Sequence, residues 1–271
     1  MPELPEVHIL QNKIKPLIIN QTITSFTFDQ GKFHKKPPAN FDSFTNDLPL
    51  KVSNVYRKGK SLIIHFNKKN KNWFCCILFG LHGFLRYNDN KFVQNYYNNK
   101  KNVHGTLKFN DIDDILYVNT TGFGTSFSFF NNIDDYRKFL NTFAIDILDK
   151  NFTESYLIDK IENFKNKKKL ICVALMSKSD ICSGIGNYMK SEILYDSNIS
   201  PYRSIDKLTK NDISKLHKSI IKITNIHIKN NGKSQDYFKV YNRKIDDKNN
   251  NIIYEKTPDK RYTYWVKELQ N

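Results

Sequence analysis

Ser183-Gly184-Ile185-Gly186-Asn187-Tyr188 is the stretch of this sequence that decides its fold. It lies between two segments of helical periodicity, and its two glycines permit a tight turn from one helix into the next. Backbone N–H groups at the start of the second helix form a favourable site for phosphate, and Asn187 adds a side-chain donor. The stretch therefore predicts a helical element that binds a phosphate backbone.

The sequence around this element shows two different patterns of apolar residues. After a helical stretch at residues 7–17, the first half consists of short apolar runs broken by Asn, Gly and Asp, which predict antiparallel strands. From residue 133 the apolar spacing becomes helical. The strands are expected near residues 21–28, 61–66, 73–79 and 115–118, and the helices near residues 134–140, 153–164 and 212–228.

The end of the chain is strand-like again. A polar turn at residues 246–251 separates two runs in which aromatic and basic residues alternate, which predicts a terminal hairpin. The sequence thus predicts an α+β protein whose N-terminal part is a two-layered antiparallel β-sandwich flanked by helices. The expected segments are the sandwich at residues 1–132, a linker or helix at 133–150, a helical domain at 151–235 and the hairpin at 236–271.

The charge of the chain favours a polyanionic partner. Its 271 residues include 43 Lys and Arg against 27 Asp and Glu, which gives a formal net charge of +16. Nucleic acid is the partner that this balance fits best. A biased genome composition that enriches Lys, Asn and Ile would produce the same charge, so composition alone leaves both explanations open.

Membrane and disulfide-rich classes do not fit this sequence. No apolar run approaches the roughly 20 residues that span a bilayer, and the N-terminus is not basic or apolar enough for a signal peptide. We therefore expect a soluble, intracellular protein. The cysteines include no CxxC pair, so neither a disulfide framework nor a zinc site is expected. They are Cys75, Cys76, Cys172 and Cys182.

The N-terminus offers an unusual nucleophile. Removal of Met1 would leave Pro2 with a secondary amine, and an α-amino group titrates near ~8, well below a lysine. Such an amine can attack a sugar C1′ and form a Schiff base, whereas a retained Met1 would block it. Glu3, and Glu6 one helical turn later, could serve as acid and base. Proline and glutamate are also ordinary residues at a helix start, so a structural role stays open.

Residues 1–7, MPELPEV, resemble the opening of the formamidopyrimidine-DNA glycosylase and endonuclease VIII family. Further segments similar to that family follow in its order, between residue 2 and residue 270. RKGK at residues 57–60 is similar to the family's RRGK hairpin, and FGLHGFLR at 79–86 resembles its LGMSGSLR segment. Residues 183–188, with Glu192, Leu194 and Pro201 after them, resemble the family's helix-two-turn-helix motif. Residues 257–270 resemble the terminal finger, RxTxYCxxCQ.

The resemblance implies a role for individual residues. In this family the N-terminal proline, here Pro2, is the nucleophile, and the adjacent glutamate, Glu3, is essential. The hairpin lysine, Lys60, contacts phosphate and the reacting sugar. Leu81, where the family usually has methionine, and Phe123 would fill the gap left by an everted base, for which a wedge shape suffices. The residues expected to contact DNA are Glu6, Gly184, Gly186, Asn187, Tyr188 and Arg261.

Three departures from the family pattern change the expectations. Val266 and Leu269 replace the two finger cysteines, so the chain resembles members with a zincless finger, and no cofactor is expected. The segment at residues 121–124, TGFG, lacks the arginine that pairs with the base opposite the lesion, which should weaken discrimination of that base. Only residues 230–236 separate the last long helix from the finger, where purine-directed members carry a longer loop over 8-oxoguanine.

Together these features predict a base-excision-repair glycosylase and abasic-site lyase that acts as a monomer on damaged DNA, double- or single-stranded. It would break the strand by β- and δ-elimination, at a nucleus, nucleoid or viral replication site. The short loop favours oxidised pyrimidines and hydantoins, as for endonuclease VIII-like members, whereas Leu4 favours 8-oxoguanine and formamidopyrimidines as the alternative. A damage-binding protein without catalysis and an RNA-binding protein are the rival classes.

Overall fold

The computed structural model describes residues 2–80, 82–87, 102–119, 124–232 and 234–270. The chain forms two compact units. The first contains Pro2 and Val7–Leu140, and the second contains Glu3–Glu6 together with Asn141–Asn271. No helix within the described residues is long and apolar enough to cross a membrane.

Strands dominate the first half of the chain and helices the second. The elements up to residue 141 are α1 (Leu4–Ile18), β1 (Thr22–Thr27), α2 (Lys32–Lys35), α3 (Phe41–Asn46), β2 (Leu50–Lys58), β3 (Ser61–Lys68), β4 (Lys71–Leu78), β5 (Gly83–Arg86), β6 (Val103–Phe109), β7 (Ile115–Asn119), β8 (Ser126–Phe130) and α4 (Ile133–Asn141). The later elements are α5 (Glu154–Glu162), α6 (Ile171–Met176), α7 (Asn187–Asp196), α8 (Lys210–Lys229), β9 (Ile253–Lys256) and β10 (Tyr262–Trp265).

The first eight strands form one antiparallel sheet in the order β5-β7-β6-β1-β2-β3-β4-β8. This sheet folds over onto itself, because Phe127 of the end strand β8 packs on Phe26 of β1 and on Tyr117 of β7. The ring centroids are 5.9 Å and 4.9 Å apart, respectively. The result is the two-layered sandwich that the sequence predicts, with an aromatic core between the layers.

Strands β3 and β4 are buried on both faces, which explains their continuous apolar sequences. Leu62 and Ile64 of β3 face the core of the sandwich, whereas Ile63 and Phe74 pack on the other side. There Tyr136 of α4 stacks on Phe74 with a ring-centroid distance of 3.9 Å. Helix α4 therefore covers the outer face of the sheet.

Helix α7 is the central helix of the second unit. Its residues from Tyr188 to Leu194 are all buried, and the long helix α8 packs against it. Helix α8 begins with a capping box formed by Thr209 and Asp212. Helix α7 has no such cap of its own, because Gly186 precedes it and offers no side chain. The free N–H groups at its start need another partner.

The terminal hairpin differs in position from the one that the sequence predicts. The predicted turn at residues 246–251 is present, with an antiparallel bridge between Ile245 and Asn251 at its ends. The strand expected before it does not form, and β9 and β10 are joined by the loop Thr257–Arg261, with a hydrogen bond of 2.9 Å between its end residues. Residues 238–244 form no strand. The carboxylate of Glu192 accepts the N–H groups of residues 239–241, so these groups are not available for a strand ladder.

Candidate functional site

The carboxylate of Glu3 caps helix α7. Its Oε2 accepts the N–H groups of Gly186 at 2.9 Å and Met189 at 3.2 Å, and its Oε1 accepts the N–H of Tyr188 at 3.0 Å. Three donors and the positive end of the helix dipole stabilise an ionised carboxylate here. Two of the DNA-contact residues that the sequence predicts, Gly186 and Tyr188, thus direct their N–H groups at Glu3 instead of at phosphate.

Both glycines of the turn make room for the N-terminal segment. A Cβ atom on Gly186 would lie 2.1 Å from Cδ of Glu3, and one on Gly184 would lie 2.3 Å from Cδ1 of Leu4. Gly184 also has a φ of 124°, which L side chains rarely adopt, and its carbonyl accepts the N–H of Leu4 at 3.2 Å. The close approach of Glu3 and Leu4 therefore requires glycine at positions 184 and 186, and the turn itself requires it as well.

Glu6 completes this cluster. Its carboxylate accepts the hydroxyl of Tyr188 at 2.8 Å and the backbone N–H of Glu3 at 2.9 Å. Burial raises the pKa of Glu6, and these hydrogen bonds oppose the rise. Burial lowers the pKa of the neighbouring His227 to about 4, so this ring, 5.0 Å from that of Tyr188, is neutral at pH 7. The histidine therefore adds no positive charge next to Tyr188.

Asn187 and Arg261 line one pocket of about 330 Å³ in the second unit. The side-chain amide of Asn187 donates to the carbonyl of Tyr262 at 2.9 Å, which ties the start of α7 to the hairpin. Arg261 is exposed at the end of the hairpin loop. The other lining residues are Tyr241, Asn242, Tyr254, Lys260, Tyr262 and Tyr264. Exposed cations beside amide groups suit a phosphate ligand.

Lys60 belongs to the first unit, where it lies in the two-residue turn between β2 and β3. Gly59 precedes it with a φ of 57°, the conformation that glycine supports in such a turn, and Arg57 donates to the carbonyl of Gly59 at 2.8 Å. Pro2 also belongs to the first unit and lies two residues before the start of α1. The turn thus places Lys60 at the tip of the β2–β3 hairpin.

Leu81 and Phe123, which the sequence predicts to fill the gap left by an everted base, lie outside the described residues. Val266, at one of the two cysteine positions of the finger, is fully buried. Its N–H donates to the side chain of Gln270 at 2.7 Å, and Gln270 donates to the carbonyl of Ile199 at 2.9 Å. Within the described ranges, no group of three or more His, Cys, Asp and Glu side chains could hold a metal ion.

An ion pair that the sequence did not predict ties the finger to α7. Nζ of Lys190 lies 2.5 Å from Oδ2 of Asp259, and the two side chains are 0% and 2% exposed. Glu192, two residues further along the same helix, is also buried. The sequence carries one signal for such partners. Lys190 and Glu192 lie among apolar residues of α7, and charges that are buried need partners.

Two family models match most of the chain. Residues 1–126 match the formamidopyrimidine-DNA glycosylase N-terminal domain, and residues 143–239 match the formamidopyrimidine-DNA glycosylase H2TH domain. A formamidopyrimidine-DNA glycosylase of Wolbachia sp. subsp. Brugia malayi is 30% identical over 216 residues, which cover 80% of this chain and 74% of that protein. The chain belongs to the formamidopyrimidine-DNA glycosylase family. The family that the sequence motifs predict is thereby confirmed.

Solved structures of formamidopyrimidine-DNA glycosylases have the same fold. The Lactococcus lactis enzyme, non-covalently bound to DNA containing an abasic site, matches with a TM-score of 0.82 and 22% identity over 99% of both chains. The wild-type enzyme of that organism with DNA containing an oxidised pyrimidine matches with a TM-score of 0.83 and 22% identity over 100% of both chains. This family member is a DNA glycosylase of base excision repair.

Proposed function

We propose that this glycosylase is bifunctional and uses Pro2 as the nucleophile for both base removal and cleavage at the abasic site. The observation that carries the proposal is the position of Glu3, whose carboxylate is fixed by three N–H groups at the start of α7. Pro2 is the preceding residue of the chain, so the segment that bears the nucleophile is anchored at its neighbour. Precise positioning of reacting groups is a large part of catalysis.

The reaction begins when the damaged nucleotide is everted, which costs a few kcal/mol and is easiest for damaged bases. The nitrogen of Pro2 then forms a bond to C1′ while the bond from C1′ to the base breaks, and the base leaves with the electron pair and takes up a proton. Glu3 accepts the proton released by the Pro2 nitrogen and passes it to O4′ as the C1′–O4′ bond opens. An iminium links the enzyme to the sugar.

Strand cleavage follows from the acidity of the iminium. Loss of the C2′ proton to a base breaks the C3′–O3′ bond, and a second elimination breaks the C5′–O5′ bond. Water then hydrolyses the iminium and releases Pro2. We propose that Lys60, Asn187 and Arg261 bind the flanking phosphates, since a cation or an amide donor is present at each position. No metal or other cofactor takes part in these steps, and the finger is proposed to be zincless.

Borohydride trapping tests the nucleophile. Mature protein without Met1, mixed with an abasic oligonucleotide and borohydride, should form a covalent adduct that peptide mapping assigns to residue 2, because only an imine or iminium is reduced to a stable bond. The matched control is the same protein with an N-terminal extension that acylates the proline nitrogen, and it should form no adduct. An adduct at Lys60, or strand cleavage without any adduct, contradicts the proposal, and a purely damage-binding protein gives neither.

For the lesion, we propose oxidised pyrimidines and hydantoins as the preferred substrates. Helix α8 ends at Lys229 and a short 3-10 turn follows at Ser234–Tyr237, which leaves little chain for a cover over a bulky purine. The related Lactococcus lactis enzyme has been solved with DNA containing an oxidised pyrimidine. A MutM structure with DNA containing carbocyclic 8-oxoguanine supports the alternative, 8-oxoguanine or a formamidopyrimidine.

We also propose that single-stranded or bubble DNA is accepted well, because the arginine that would pair with the opposite base is missing from residues 121–124. One bidentate base contact provides about 1–3 kcal/mol of discrimination, so its loss should reduce the dependence of cleavage on the opposite base to less than about tenfold. Single-turnover rates would be measured for one hydantoin and one 8-oxoguanine, each in a single strand, a bubble and a duplex with each opposite base. We expect the hydantoin and the unpaired contexts to react faster, and equal or faster cleavage of the full duplex contradicts this proposal.

A further inference from the structure

The terminal hairpin carries a row of tyrosine rings on one face. Antiparallel pairing brings Tyr254 opposite Tyr264 and Lys256 opposite Tyr262, and the alternation of strand residues puts these side chains on the same face. The ring centroid of Tyr254 lies 4.6 Å from those of Tyr262 and Tyr264, with interplanar angles of 21° and 31°. Tyr241 continues the row, 4.9 Å from Tyr264. The rings thus form one continuous aromatic surface.

The outer end of this row is open to solvent. Tyr254 and Tyr262 are the two most exposed large hydrophobic side chains in the described part of the chain, at 54% and 50%. The opposite face of the hairpin, which carries Thr263 and Trp265, is buried. The hairpin therefore obtains its packing from the buried face, and the outer rings are available for a ligand.

The surroundings of the exposed rings select the kind of ligand. Arg261 and Lys260 precede Tyr262 in the chain, Lys256 faces it across the hairpin, and all three cations are exposed. The pocket that these rings line also includes the amide side chains of Asn187 and Asn242, and no carboxylate is among its described lining residues. A ligand with a flat aromatic face and an adjacent anion, such as a nucleotide, complements both features.

We propose that Tyr254 and Tyr262 form a stacking platform for an unpaired nucleobase of the DNA strand whose phosphate binds Arg261. This inference rests on the proposed phosphate contact of Arg261. A base in a duplex is covered on both faces by its neighbours and offers only its edges, whereas an unpaired base can expose a face for stacking. The platform therefore favours single-stranded or bubble DNA through a surface that is independent of residues 121–124.

Binding of DNA without a lesion tests the platform separately from catalysis. The probes are a fluorescent oligothymidylate and its duplex with oligoadenylate, with affinity measured by anisotropy. Tyr254→Ala and Tyr262→Ala should each weaken binding of the single strand by about 5- to 150-fold, because stacking is worth about 1–3 kcal/mol per base. Binding of the duplex should change much less. Phenylalanine variants at both positions should keep the affinity, since they keep the ring.

Two controls separate stacking from charge and from general exposure. Arg261→Ala should weaken both probes and reduce the salt dependence of binding, as expected for a lost phosphate contact. Tyr237→Ala removes another exposed tyrosine of the same unit, 44% exposed, and should change neither affinity. Thermal unfolding of each variant identifies any that fail to fold. Where an alanine variant does not fold, the phenylalanine variants at positions 254 and 262 are compared with Tyr237→Phe instead.

The possible outcomes distinguish this inference from the proposed function. An equal loss of single-strand and duplex affinity in the alanine variants, or no loss in either, overturns the platform. Phenylalanine variants that lose single-strand affinity also overturn it, because the hydroxyl would then be the contact. A wild-type protein that forms no borohydride adduct refutes the Pro2 mechanism while a selective loss of single-strand affinity still supports the platform.

Discussion

Replacing Gly186 with alanine should reduce the rate of cleavage at an abasic site by at least about 10²-fold, because removal of a positioned acid or base costs about 10²–10⁴-fold. The added Cβ would lie 2.1 Å from Cδ and 2.3 Å from Oε1 of Glu3. Since these atoms are at the end of a flexible side chain, the chain can relieve the overlap by moving Glu3 away. The helix can stay folded, but the carboxylate of Glu3 loses its N–H partners and its fixed position.

Single-turnover kinetics and a double-mutant cycle check this mechanism. Glu3→Gln should cause a loss of similar size, since its amide nitrogen would face N–H donors that a carboxylate accepts. If Gly186→Ala acts through Glu3, the double variant should be no slower than the slower single variant. Losses that multiply in the double variant would show that Gly186 acts independently, for example by direct contact with DNA. Chemical unfolding of all three variants controls for global destabilisation.

The position of Glu3 also explains what the sequence could and could not predict about the site. The turn at residues 183–188 correctly predicts free N–H donors at the start of a helix that has no capping side chain of its own. The anion that these donors bind is the carboxylate of Glu3 and not the expected phosphate. The hydrogen bonds from Gly186 and Tyr188 to Glu3 join residues that are 183 and 185 positions apart. Local spacing carries no information about a partner so distant in the chain.

The fold was more accessible to prediction in the sandwich than in the finger. Apolar runs such as residues 61–66 predict strands wherever burial alone decides the conformation, and β3 is buried on both faces. In the finger, side chains of residues distant in the sequence decide the backbone conformation. The strand-like pattern at residues 238–244 fails because Glu192 of α7 binds three successive N–H groups there.

Replacing Asp259 with asparagine should destabilise the protein by about 3–5 kcal/mol, the usual cost of leaving one member of a buried ion pair without its partner. Lys190 is 0% exposed, and burial lowers its pKa while Asp259 opposes that change. Asparagine keeps the size of the side chain but removes the negative charge, so the lysine must lose its proton, pull in water or leave its site. Urea unfolding with a fluorescence readout would measure the loss.

The control for this prediction is an ion pair of the same type at the surface. Lys138 lies 3.0 Å from Asp135 on α4, and both side chains are mostly exposed. Asp135→Asn should change the free energy of unfolding by less than about 1 kcal/mol, because exposed pairs contribute little. If Asp259→Asn has an effect as small as this control, the buried pair does not hold the finger.

A second variant distinguishes lost pairing from lost shape. Lys190→Met combined with Asp259→Asn removes both charges, so it should recover most of the stability lost in Asp259→Asn alone. Affinity for DNA then reports on the position of the finger, since Asp259 and Arg261 lie in the same hairpin loop. Asp259→Asn should weaken binding although Arg261 is unchanged, and the double variant should restore it in part.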